Sequence, residues 1–100
     1  MSRVRIDIPK EKIINFCQKH HILKLALFGS VLREDFRPDS DVDVLVEFAP
    51  ECVPGLAFFT MEAELSEILG RRVDLNTPGF LSRYFRDEVL GEAEVQYVAA

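Results

Sequence analysis

Leu27-Phe28-Gly29-Ser30 and, after ten intervening residues, Asp41-Val42-Asp43-Val44-Leu45-Val46 decide how this chain is read. Successive side chains of a strand point to opposite faces, so Asp41 and Asp43 share one face while Val42, Val44 and Val46 take the other. The valine face is expected to pack and the aspartate face to hold charge. Leu45 lies further along the aspartate face, which therefore turns apolar past the acids. Two carboxylates so close repel unless a proton or a cation lies between them. Hard oxygen donors suit Mg²⁺, which takes one or two protein carboxylates and leaves its other positions to water and phosphates. Upstream, Leu27-Phe28 runs into Gly29-Ser30 and then Val31-Leu32-Arg33-Glu34, the pattern of a strand, a tight turn and a short helix. Glycine lets a phosphate approach the backbone there, and N–H groups at the helix start face it. Ser30 suits both an N-cap and a phosphate contact. Phosphate cradle and metal clamp thus fall on one local unit.

A chain of 100 residues, 48% hydrophobic and 29% charged, is expected to form a single globular domain, residues 1–100. No apolar run reaches the roughly 20 residues of a membrane span, and Met1-Ser2-Arg3-Val4-Arg5-Ile6-Asp7 lacks a signal-peptide core. The expected compartment is the cytoplasm, with no membrane partner. Cys17 and Cys52 stand in unrelated contexts and read as free thiols. Cys17 with His20-His21 offers too few ligands for zinc, and the histidines read as closing a helix end. The net charge of −5 is uneven: residues 51–100 carry four basic and nine acidic side chains. Such a surface repels nucleic acid, so direct duplex binding is not expected. Between Arg37 and Arg71 there is no Lys or Arg. Glu62, Glu64 and Glu67 in that interval read as a solvated helix face.

Along the chain, Pro9 opens a helix that carries Ile13, Phe16 and Cys17 at helical spacing to about His20. Residues 23–28 form a first strand, 35–40 a loop around Pro38, and 41–48 the central strand. A second amphipathic helix, from Leu56 to Leu69, is closed by Gly70. Its broad apolar surface covers the sheet or, in part, meets a partner. Val73-Asp74-Leu75 reads as a short strand, Phe80 to Val89 as a last helix and 94–98 as a final strand. Alternating elements with some short connections indicate an α/β (α+β) domain, a small mixed β-sheet with helices packed on it.

The run Phe28-Gly29-Ser30, the spacer 31–40 and Asp41-Val42-Asp43-Val44 resemble the signature of the DNA polymerase beta-like nucleotidyltransferase superfamily. The intervening Arg33, Asp35-Phe36-Arg37-Pro38 and Ser40 are similar to its minimal nucleotidyltransferases, small proteins often paired with a HEPN-domain toxin. Both halves at this spacing are a far more specific signal than Asp-x-Asp alone. The resemblance implies a polymerase beta-like palm fold and a third acid on a later strand, a place that Asp74 matches. Asp74 otherwise reads as a surface residue of an edge strand. Departures from the pattern are Leu32 and Glu34, where small residues are usual, and His21, where glycine is.

By this resemblance Asp41, Asp43 and Asp74 are the catalytic and metal-binding carboxylates, holding two Mg²⁺ ions. Gly29 and Ser30 hold the β and γ phosphates of ATP. Arg33 and Arg37 flank the loop beside the site and either contact the triphosphate or balance nearby acids. The implied reaction transfers AMP from ATP to a tyrosine hydroxyl of a HEPN toxin, whose RNase activity is silenced, so that the chain serves as antitoxin. The alternative is a catalytically silent antitoxin that neutralises its partner by contact alone. Transfer to a small molecule is disfavoured, since a single domain is expected, without a second to bind one.

Overall fold

A computed structural model of the chain describes residues 6–33, 36–37, 39–49, 55–77 and 86–99. Cys52, Glu34 and residues 80–85, where the last helix was expected to begin, lie outside the described residues. The first helix, α1 (Lys10–Lys19), follows Pro9 at its N-cap and buries Ile13, Phe16 and Cys17, the three apolar positions of its 3.6-residue period. Burial pushes the Cys17 thiol up to about 12, which makes it a packing residue. Its helix closes on His20, and His21 then takes a left-handed φ of 57°. That conformation is where glycine is usual, and histidine is one of the few side chains that tolerate it.

Strand β1 (Ile22–Phe28) ends in a single 3-10 turn, Gly29–Leu32. The chain returns as β2 (Val42–Phe48), antiparallel to β1 with Phe28 opposite Asp43. Helix α2 (Ala57–Leu69) stops at Gly70, whose φ of 68° is the left-handed cap expected of it. It crosses over to β3 (Val73–Asn76), parallel to β2. Helix α3 (Arg86–Glu92) leads into β4 (Glu94–Val98), antiparallel to β1. The sheet order is β3-β2-β1-β4, a mixed four-stranded sheet. No helix among the described residues is long and apolar enough to cross a membrane.

The two faces of the sheet differ as the alternation in β2 requires. Val42, Val44 and Val46 join Leu25, Leu27, Val73 and Leu75 beneath α1 and α2, which contribute Phe16, Met61 and Leu65. On the opposite face, Phe28 and Leu45 form a second apolar cluster with Val89 and Ala93 from the α3 end of the chain. Leu45 is only 2% exposed, so the aspartate face does become apolar two residues beyond Asp43. The carboxylates are left at the mouth of that small cluster.

Candidate active site

Register alone brings Asp43 to Asp74: the two are direct partners across the parallel β2–β3 pair. Facing carboxylates on adjacent strands repel one another unless a proton or a cation lies between them. Burial first, then the negative charges of Asp74 and Asp41 raise Asp43 to about 6, with Arg33 pulling the other way. Asp43 is thus a half-buried acid held against like charge, the situation in which a cation can take the place of the proton.

Asp41 stands one residue before β2, and its backbone is engaged on two sides. Its carbonyl accepts the Ser30 hydroxyl at 3.3 Å, and the neighbouring Val42 N–H donates to the Arg72 carbonyl at 2.9 Å. Its carboxylate lies 3.9 Å from Arg72 Nε, an ion pair between largely exposed groups. Asp41 therefore reaches Asp43 through its field but is turned toward Arg72. Among the described residues no three His, Cys, Asp or Glu side chains converge as a ready-made metal cage. The pair Asp43–Asp74 is itself a hard-oxygen donor set of the size that Mg²⁺ takes from protein, the remaining positions falling to substrate phosphates and water. These residues fit Mg²⁺.

Gly29 has a φ of 75°, and a Cβ built on it would overlap the Asp43 carboxylate. Glycine is required here first by the acid, which packs onto its backbone, and the expected room for phosphate lies beside that contact. Ser30 corrects one expectation. The cap of the turn is Phe28, no side chain caps it, and Ser30 sits inside the turn with its hydroxyl on Asp41. Four residues of 3-10 helix leave no position for the N-cap reading. Arg33, exposed, lies 3.9 Å from Glu92 of α3 and close enough to Asp43 to favour its charge. Arg37 is exposed, its backbone closing a turn with Ser40, whose hydroxyl accepts the Arg37 N–H at 3.1 Å. Of the two arginines only Arg33 is brought to the acids by the contacts described.

Two acids read as solvated are not. Glu64 accepts hydrogen bonds from His20 at 3.1 Å and Lys19 at 3.2 Å. Burial works against its charge, yet those two partners hold its carboxyl below the ordinary range. Glu62 accepts the backbone N–H of Leu75 at 2.8 Å. Glu67 remains exposed as expected. Arg72 was also missed; the available signal was its place just before the strand of Asp74, which becomes informative only once Val42 and Val73 are known to pair.

A family model described as polymerase beta, nucleotidyltransferase matches residues 11–98. The chain belongs to that family. This polymerase beta-type nucleotidyltransferase is 38% identical over 82 residues to the protein adenylyltransferase MntA of Thermococcus cleftensis, covering 81% of this chain and 79% of that one. It is 37% identical over 90 residues to MJ0435 of Methanocaldococcus jannaschii, provisionally named a protein adenylyltransferase, covering 90% and 96% of the two chains. Its fold is similar to that found in a complex of a tri-AMPylated Shewanella oneidensis HEPN toxin with an MNT antitoxin, with a TM-score of 0.59, 21% identity and coverage of 90% and 70%. Nucleotidyl transfer is accordingly its reaction class.

Proposed function

We propose that this nucleotidyltransferase is an antitoxin that transfers AMP from ATP to a tyrosine hydroxyl of a partner HEPN toxin. The observation that carries the reading is the pairing of Asp43 with Asp74 as direct partners in the sheet, half-buried Asp43 lying against the Gly29 turn and Asp74 exposed beside it. The names of the relatives, protein adenylyltransferases, support AMP as the transferred group and a protein as acceptor.

In this reading Asp43 and Asp74 would hold Mg²⁺, with Asp41, now weakly paired with Arg72, as the third carboxylate. Two bound Mg²⁺ ions would neutralise triphosphate charge and acidify the acceptor hydroxyl. The protein's share is mostly placement. Gly29 keeps the backbone clear beside Asp43, and Ser30 ties the turn to Asp41 while its hydroxyl remains able to accept a bond or meet a phosphate. Arg33 supplies positive charge beside the acids, and Arg37 is assigned to the outer triphosphate. The acceptor oxygen attacks the α phosphorus, the bond from that phosphorus to the bridging oxygen breaks, pyrophosphate leaves, and Asp74 takes the hydroxyl proton. Cytoplasmic placement goes with this reaction, which draws on ATP and a partner made in the same cell.

Contact alone is the second reading, favoured by Leu56 and Phe59, which are 87% and 69% exposed at the start of α2. Met61 and Leu65 of the same helix are buried, so among the described residues of α2 the exposed large apolar side chains lie at its start. Parallel reactions with α-labelled and γ-labelled ATP distinguish the two. Adenylyl transfer carries the α label to the partner protein and releases the γ label in pyrophosphate; inhibition without either label moving leaves contact as the mechanism.

A further inference from the structure

Asp74 sits in the middle of the four-residue β3, at the end of the sheet, where one edge of the strand has no neighbouring strand among the described residues. Burial of Val73 and Leu75 favours one register, and an edge strand has a pairing strand on one side only. The N–H groups on either side of Asp74 nevertheless have acceptors, both from α2. Ser66 Oγ takes the Val73 N–H at 3.0 Å and Glu62 Oε2 takes the Leu75 N–H at 2.8 Å. Ser66 in turn donates its own proton to the Glu62 carbonyl at 2.9 Å, which leaves its oxygen lone pairs for Val73. Asn76 Nδ2 donates to the Asp74 carbonyl at 3.1 Å.

The spacing is what makes this a register lock. Residues two apart on a strand are separated by about 6.6 Å, and residues four apart on a helix by about 6.0 Å. Glu62 and Ser66, four apart, therefore match Leu75 and Val73, two apart, as the neighbouring strand would. A slip of β3 by one residue would break both bonds and turn Asp74 into the core, away from Asp43.

We propose that Glu62 and Ser66 are positioning residues of the reaction, holding Asp74 opposite Asp43 through the backbone of β3. The proposal rests on the reading of Asp74 as a metal-holding carboxylate. It assigns the two residues no contact with nucleotide or acceptor. Loss of partners that orient a metal ligand weakens metal affinity roughly ten- to hundredfold, and that is the effect expected here.

Binding of Mn²⁺ by the full chain with a non-hydrolysable ATP analogue, followed by electron paramagnetic resonance of free Mn²⁺, tests it together with amide exchange at Val73 and Leu75. Glu62→Ala should speed exchange at Leu75 and raise the Mn²⁺ dissociation constant by about tenfold or more. Glu62→Gln, which keeps an acceptor oxygen but not the charge, should restore most of both. Ser66→Ala should act likewise through Val73, and carries the test alone if Glu62→Ala does not fold. Faster exchange with unchanged Mn²⁺ affinity would overturn the proposal, as would equal weakening by Glu62→Gln and Glu62→Ala, since charge alone would then be responsible. If Asp74→Ala itself leaves Mn²⁺ affinity unchanged, the reading of Asp74 falls and the positioning role with it.

Discussion

A carboxyl group that keeps its proton to about pH 6 when folded, and loses it near pH 4 when unfolded, makes the metal-free domain sensitive to pH in one direction. The folded chain binds the extra proton between those values, so the stability contributed by Asp43 is full below pH 4 and is lost as pH rises through 6. Asp43→Asn removes that dependence. In chelator at pH 7.5 the variant should be as stable as the wild type or more stable, by an amount on the order of 1 kcal/mol given that the group is half exposed. The difference should vanish on acidification, and Mg²⁺-nucleotide should no longer raise the melting temperature. A marked loss of stability at pH 7.5 would mean that the charged form of Asp43 is held by favourable bonds. Ser30→Ala removes one 3.3 Å hydrogen bond to the Asp41 carbonyl and should cost about 1 kcal/mol or less, leaving the domain folded. Titration calorimetry should find weaker ATP binding; unchanged affinity would take Ser30 out of the phosphate site.

Among the elements, β1 is bounded by two left-handed residues, His21 before it and Gly29 after its last residue, and their substitutions should have opposite effects. His21→Gly relieves a conformation that costs an L-residue about 1 kcal/mol, partly offset by added unfolded-chain freedom, so a rise of a few tenths of a kcal/mol is expected on thermal unfolding. Gly29→Ala introduces a side chain both where φ is positive and where the Asp43 carboxylate lies. It should destabilise the domain by about 1–3 kcal/mol and abolish Mg²⁺-nucleotide stabilisation, because Asp43 has to move. The bounds of β1, β2, α2 and β4 were legible to within a residue or so, since period-2 valines, Gly70 and the alternation of 94–98 each report a local backbone preference. What lay outside that reading was tertiary. Glu62 and Glu64 look alike on an acidic helix, and only the packing of α2 against β3 and α1 shows that one binds an edge N–H and the other a histidine. Ser30 was misassigned as a cap because a four-residue 3-10 turn and the first turn of an α-helix have the same sequence pattern.

At the scale of the whole molecule, Asp41 and Asp43 were legible because both their period-2 placement and their spacing from Gly29-Ser30 are local, whereas Asp74 came from the family resemblance and the strand pattern around it. The partnership of Asp43 with Asp74 depends on strands 31 residues apart pairing in parallel, which no local signal encodes. The fold delivers the acids on one side of a sheet whose other side is filled by two helices, so a second protein can approach the site without disturbing the core. The central claim is that this small surface performs chemistry on that second protein. The direct measurement is the intact mass of the partner toxin after co-production with the wild-type chain and with Asp74→Ala. The wild type should leave the toxin heavier by one or more AMP groups and inactive as an RNase, and the variant should still co-purify while leaving the mass unchanged. A toxin silenced by the wild type at unaltered mass, with ATP and Mg²⁺ present, would contradict the enzymatic account and leave inhibition by contact.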